Sequence, residues 1–307
     1  MNIIDNIDNI DNTVNTVNTV NTVNTVNTVN TVNTVNTVNT NTTNNNIKRV
    51  KKDVDGIIMI LSCQKHRNTR LKEFSLSKTS YNNWEVIYVI GDLFLKESYI
   101  LDGNMLYIRC EDSYLHLLKK LVLAMRSVRE LFNIKEGILR CGDDLIFNED
   151  NLIKFTKIPK FDYFGQSPLA LEFKCVNKNI LKRLRNDKFM LFYYNNHQED
   201  FKNPQHGLTN MNLSQLSKYT MRPHIYGAAG IIFYLSNKAC DIAIQHMEKI
   251  KFNVLEYDSF TRSYPYTIED CGISFIMYYN DIDYVDGQFF YDTNHPNNIA
   301  RHTNKYK

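Results

Sequence analysis

The chain has 307 residues, 43% hydrophobic and 22% charged, a balance that suits a globular core and excludes a chain disordered throughout. Lys and Arg number 36 against 33 Asp and Glu, so the protein as a whole is not a strongly basic nucleic-acid binder. Cys63, Cys110, Cys141, Cys175, Cys240 and Cys271 stand singly, without the paired spacing of a zinc site, and several lie in apolar runs as small hydrophobes of a reducing compartment.

Residues 1–47 are low in complexity: Asn-Ile-Asp triplets, then nine copies of Asn-Thr-Val from Asn12 to Val38. An apolar residue at every third position matches neither the period of a strand nor that of a helix, so the array reads as a disordered tail. The basic cluster Lys48, Arg49, Lys51 and Lys52 closes it. The apolar run that follows, "GIIMILSC", is far too short to span a bilayer, so no transmembrane anchor is expected.

From there strands and helices alternate. "GIIMILSC" (56–63), "WEVIYVIGD" (84–92), "MLYIRC" (105–110) and "GILRC" (137–141) read as buried strands. Between the last two, Tyr114, Leu117, Leu118, Leu121, Met125, Val128 and Phe132 fall on one helical stripe, with Lys119, Arg126, Arg129 and Glu130 opposite. "NEDNLIKF" predicts a helix begun by Asn148, and "DYFGQ" a short strand. Residues 177–219 are charged and Asn-rich, as in a surface excursion. "HIYGAAGIIFYLS" predicts a strand, Ser236 a cap for the helix "NKACDIAIQHMEKI", and "YTIEDCGISFIMYYN" a helix begun by Glu269 and Asp270. This alternation predicts a mainly parallel sheet flanked by helices, whose ligands bind at the carboxyl ends of the strands.

Asp143 and Asp144 would sit at that edge. Two adjacent carboxylates after a strand suit a divalent cation, as in a polymerase GDD turn or the DxD turn of a nucleotide-sugar transferase. The polymerase also needs an aspartate from an earlier strand, a basic template channel, and finger and thumb regions. About 260 ordered residues with little net charge do not supply these. A transferase needs less: a metal-bound carboxylate for the leaving diphosphate, filled by Asp143 and Asp144, and a second carboxylate for the acceptor hydroxyl, filled by Glu269 or Asp270. Taken singly, each pair also has an ordinary reading, the first as a turn cap and the second as a helix start.

In order, the chain carries "IIMILSCQKHRNTR", "VIYVIGD", "EDSYLHLLKKLVLAM", "RCGDDLIFNEDNL", "YGAAGIIFYLS" and "IEDCGISF". This succession resembles the β-1,3-glycosyltransferases, a family that includes β-1,3-galactosyltransferases, β-1,3-N-acetylglucosaminyltransferases and fringe, over most of residues 56–275. The resemblance implies a GT-A-like α/β catalytic domain over residues 48–307, behind the 1–47 tail. It implies an inverting transfer of a sugar from a nucleotide donor, UDP-linked above all, to the hydroxyl of a glycan or glycoprotein acceptor, with Mn²⁺ or Mg²⁺ as cofactor. In it Asp144 matches the metal ligand and Asp143 the middle aspartate of a "DDDxFxN" turn, with Gly142 standing where the first aspartate would be. Asp270 matches the general base and follows Glu269. Asp112 and Tyr114 match an Asp-Ser-Tyr segment, and Lys120 the helix lysine that reaches towards diphosphate. Arg67 and Arg70 stand near the arginines of the nucleotide site. His295 and His302 compete for a late histidine on the metal, with His302 preferred. A tailed, anchorless version suits a soluble enzyme of the cytoplasm, and the Asn, Ile, Lys and Tyr richness suits an AT-rich genome such as that of a large virus, acting in its host's cytoplasm, or of a protist. The competing reading is a non-catalytic carbohydrate-binding or scaffold protein on the same fold, with Gly142 as its sign.

Overall fold

Ile57, Ile58, Met59 and Ile60 are all fully buried, which only a strand covered on both faces allows. They belong to β1 (Lys52–Leu61), the centre of the sheet. A computed structural model describes residues 50–74, 76–167, 195–209, 227–259 and 264–303. The chain divides into two compact units, Met1–Lys48 and Arg49–Lys307, and the described residues all belong to the second. The Asn-Thr-Val array and most of the 177–219 excursion lie outside the described residues.

The other strands of the main sheet are β2 (Ser80–Tyr81), β3 (Trp84–Gly91), β4 (Tyr99–Asp102), β5 (Met105–Ile108), β6 (Phe132–Gly142), β8 (Tyr163–Gly165), β9 (Ile232–Ser236) and β10 (Tyr284–Asp286). Their order is β10-β8-β9-β6-β1-β3-β5-β4, with β2 added beside β3. Strands β1, β3, β5, β6, β8 and β10 run one way and β2, β4 and β9 the other, so the nine-stranded sheet is mostly parallel, as the alternation predicted. A small antiparallel ribbon joins β7 (Leu145–Phe147) to β11 (Ala300–His302).

Alternation along the strands divides the core into two layers. Ile57, Met59 and Leu61 of β1, with Phe233 and Leu235 of β9, face α1 (Leu117–Leu131), α3 (Asn237–Lys249) and α4 (Glu269–Tyr279). Ile58 and Ile60, with Ile232 and Tyr234, face α2 (Glu149–Phe155) and the β7–β11 ribbon. A short 3-10 turn, Tyr114–His116, leads into α1, so the predicted helix begins three residues late. β6 starts directly after α1 with Phe132, which the helical stripe had claimed, and so begins five residues before its apolar run, through the mostly polar and less buried residues 133–136.

Lys51 and Lys52 are exposed, yet both are tied to the fold. Lys51 Nζ donates to the Arg129 carbonyl, and Lys52 opens β1 with a 2.8 Å ion pair to Glu85. Asn148 caps α2 by accepting from the Asn151 N–H. Ser236 caps α3 by accepting from the Ala239 N–H and donates to Asp162 at 2.6 Å. Ser236→Ala therefore loses a cap and a charge-assisted bond at once. Its stability falls by about 1–2 kcal/mol, read as a lower urea midpoint with an unchanged m-value.

Candidate functional site

The strands β5-β3-β1-β6 have the order of a doubly wound half-sheet, in which the connections leave β1 and β6 in opposite directions. The switch point of the sheet therefore lies between the carboxyl ends of β1 and β6, where Leu61 pairs with Gly142. The loops that follow carry Ser62 to Arg70 on one side and Asp143 and Asp144 on the other.

Behind this edge lies a buried ion pair. Asp112 is 3% exposed and Lys120 2%, and Lys120 Nζ meets Asp112 Oδ1 at 2.8 Å. Lys120 also donates to the Ser62 carbonyl. Asp112 Oδ1 takes the Gly91 N–H at 3.0 Å and Oδ2 the Gln64 N–H at 2.6 Å. The pair thus binds together α1, the end of β3 and the loop after β1. Burial alone would push the Lys120 ammonium down, but the charge and hydrogen bond of Asp112 outweigh it and hold the pKa above the ordinary lysine value. A Cβ on Gly91 would come within 2.7 Å of Asp112 Oδ1, so the close approach needs glycine. Asp112 and Lys120 are consequently spent on each other. Neither presents a free group to a nucleotide, and the expected reach of Lys120 towards diphosphate is corrected to a reach inward.

Asp143 is the next link. Its Oδ2 accepts from Ser62 Oγ at 2.7 Å and meets His66 Nδ1 at 2.8 Å, while Oδ1 takes Arg70 at 2.9 Å. Burial pushes this carboxyl up, but His66, Ser62 and Arg70 together hold it below the usual range. His66 is raised to about 9, first by its bond to Asp143 and then by Cys63. Asp144 lies further out. Its Oδ2 is 2.9 Å from His302 Nε2 and 3.8 Å from Arg70. The pairing of His302 with Leu145, and the Thr303 N–H on the Asp144 carbonyl at 2.9 Å, fix this meeting.

The second half of the chain reaches the edge through residues 227–231, which precede β9 instead of extending it as predicted. Each of these residues after the first is held by its backbone. Ala228 N–H binds Tyr163 Oη, Ala229 N–H the Gln166 carbonyl, Gly230 N–H Asp270 Oδ2, and the Ile231 carbonyl accepts from Gly142 N–H, all at 2.9–3.0 Å. Asp270 and the Asp143–Asp144 turn therefore flank one loop. Asp270 Oδ1 also takes the Cys271 N–H at 2.8 Å, which anchors the carboxylate at the start of α4 and leaves each oxygen a further lone pair. Glu269 differs from its neighbour. It is 4% exposed, pairs with Arg140 at 3.0 Å, and burial pushes it up to about 7 against the pull of Arg140. A carboxyl so enclosed is closed off from any ligand, whereas Asp270 beside it is only partly buried.

Of the two histidines, only His302 joins the carboxylates. His295 accepts from the Asn297 N–H, lies 6.2 Å from the Phe289 ring, and lines a separate cavity of about 260 Å³ with Phe155 and Ile158. Arg67 is exposed and stacks over Tyr107 at 5.5 Å, whereas Arg70 turns to Asp143 and Asp144. Asp144 and His302 could hold a divalent cation as two ligands, the remainder coming from water or phosphate. Among the described residues no group of three His, Cys, Asp or Glu side chains forms a self-sufficient metal cage. Sequence reasoning missed Ser62, His66 and Arg140. The signal for Arg140 was present, as a lone cation inside the apolar run "GILRC". Gln205 was also missed; its carbonyl takes the Asp112 N–H and its side chain the Leu93 N–H.

Two outcomes check this network. Because the folded His66 pKa lies above its ordinary 6.5, its contribution is complete below pH 6.5 and is lost as pH rises through about 9. Thermal stability should fall by about 1–2 kcal/mol over that interval, after discounting for partial exposure, and His66→Gln should flatten the profile. Lys120→Met leaves Asp112 buried and unpaired, and should lower the unfolding free energy in urea by about 3–5 kcal/mol. No protein-family model matches the chain, and no curated protein sequence matches it.

Proposed function

We propose that the protein is an inverting, metal-dependent glycosyltransferase with a GT-A-like domain, resembling the β-1,3-galactosyltransferase and fringe enzymes. It would take a UDP-linked sugar as donor and a glycan or glycoprotein hydroxyl as acceptor. The observation that carries the reading is one loop, 227–231, flanked by two carboxylates of different character. Asp144 stands with His302 at the switch point between β1 and β6, and Asp270 is held at the start of α4. The half-sheet order β5-β3-β1-β6 supports it, since nucleotides bind at such switch points.

Each side chain has one part in this reading. Asp144 and His302 would hold Mn²⁺ or Mg²⁺, and the ion would supply positive charge against the leaving diphosphate. Arg70, fixed by Asp143, presents a cation to the same phosphates. Asp270, accepting two backbone N–H groups, takes the proton of the acceptor hydroxyl as the oxygen attacks the sugar from the face opposite the diphosphate. Among the described residues no helix is long and apolar enough to cross a membrane.

Gly142 favours a second reading. A Cβ there would lie 2.9 Å from Asp144 Oδ1, and Asp143 is already engaged by three partners, so only Asp144 of this turn turns outward, with His302. A carbohydrate-binding or scaffold protein would need no more. The two readings separate in a donor screen with UDP-sugars and Mn²⁺. The transferase releases UDP, Asp144→Ala and Asp270→Ala each cut turnover by on the order of 100-fold or more, and only Asp144→Ala also weakens the thermal shift with UDP and Mn²⁺. A UDP shift without UDP release from any donor favours the binding protein. Neither shift nor release removes the nucleotide-sugar reading.

A further inference from the structure

Arg140 is an unusual residue for its place. It lies in β6 between Leu139 and Cys141, which face the α2 side, so its side chain points to the opposite layer with Ile138 and Phe233. It is 2% exposed, and its guanidinium lies 5.5 Å from the Phe233 ring. One terminal nitrogen donates to the Gly230 carbonyl and, at 3.3 Å, to the Ile231 carbonyl; the other meets Glu269 Oε2 at 3.0 Å. A buried cation that serves two consecutive carbonyls and a carboxylate costs solvation that an apolar residue would not. Its partners say what that cost achieves. Gly230 is the residue whose N–H holds Asp270, and Glu269 is the neighbour of Asp270 at the start of α4. Both routes from Arg140 end at the same carboxylate.

We propose that Arg140 is a positioning residue for Asp270, fixing the 227–231 loop and the start of α4 so that the Gly230 N–H stays on the Asp270 carboxylate. The assignment rests on the transferase reading only for its kinetic consequence. Glu269 thereby acts as an anchor for Arg140, with no direct part in proton transfer. The pair is closely enclosed without being fully hydrogen-bonded. A Cβ on Gly230 would lie 3.2 Å from Glu269 Oε2 and 3.3 Å from Asp270 Oδ2, while among the described residues Arg140 Nε and Glu269 Oε1 have no hydrogen-bond partner. The guanidinium is thus held by its ends, as a spacer between loop and helix. A lysine, with one ammonium on a flexible stem, cannot reproduce that span.

The test compares Arg140→Lys, Arg140→Met and the apolar pair Arg140→Met with Glu269→Met, the last removing both buried charges should the single variant fail to fold. Backbone hydrogen exchange is read in segment 227–231 and in the first turn of α4, with β1 and β3 as internal references. Exchange of the Gly230 amide should rise on the order of tenfold in all three variants while β1 and β3 keep their protection. In a protein that turns over UDP-sugar, kcat should fall by on the order of 100-fold with the donor KM and the UDP affinity in Mn²⁺ nearly unchanged. Unchanged exchange at Gly230, or faster exchange spread evenly over the sheet, overturns the assignment. So does a full recovery of kcat by Arg140→Lys, since charge alone would then suffice. Absence of UDP release from any donor sinks the transferase reading and leaves the exchange result to decide the positioning of Asp270.

Discussion

The edge of the sheet depends on one buried ammonium. Lys120 joins Asp112 and the Ser62 carbonyl inside the protein, where each charge has lost several kcal/mol of hydration. The loss is offset only because Asp112 is saturated by the Gly91 and Gln64 N–H groups as well as by the ammonium. Satisfied in this way, the pair fixes the ends of β1 and β3 to a rigid helix. The consequence passes outward, because the residue whose carbonyl Lys120 grips also gives its hydroxyl to Asp143. Asp143 in turn orients His66 and Arg70. What looks in sequence like a row of separate candidate ligands is a chain of contacts in which each member positions the next, and only the outermost, Asp144, is left facing solvent with His302.

Charge balance follows from the same chain. Asp143 is matched by Arg70 and by a His66 raised to about 9, so this turn does not present two bare anions to solvent. A site with one outward carboxylate, one histidine and one orienting arginine suits a cation shared with an anionic ligand better than a cation held by protein alone. The proposed transfer needs that kind of site, since the ion would arrive and leave with the nucleotide diphosphate.

Much of the scaffold was legible because its periods are long and clean. The buried runs of β1 and β3, the stripe of α1 and the caps Asn148 and Ser236 were read directly from residue spacing, and the mostly parallel sheet followed from their alternation. The short strands β4, β7, β10 and β11 were not, since three or four residues of mixed burial carry no period. Lys120 was misread for a related reason: a helical wheel reports the angle of a side chain but not whether a partner waits there to neutralise it. His302 rather than His295 meets Asp144 because strand register pairs His302 with Leu145, and register between segments far apart in sequence leaves no local trace.

Residues 227–231 show why the two carboxylates could be found in sequence while their relation could not. The small residues "GAAG" signal a close backbone approach, but not to what. In the fold they contribute no side-chain chemistry. Instead, successive backbone groups are pinned to β8, to Gln166, to Asp270 and to Gly142. Backbone spacing along an extended loop is about 3.3 Å per residue and does not vary with rotamer, so it is a more exact ruler than a pair of flexible side chains. The separation of Asp270 from the Asp143–Asp144 turn is then set by the register of β6 on β9, Cys141 against Ile232, and by the one buried arginine that holds the loop from beneath. A shift of that register by one residue would turn Arg140 to the other face, release Gly230 and move Asp270 together with it. The geometry of this edge is thus a property of the sheet's core rather than of the acidic residues themselves.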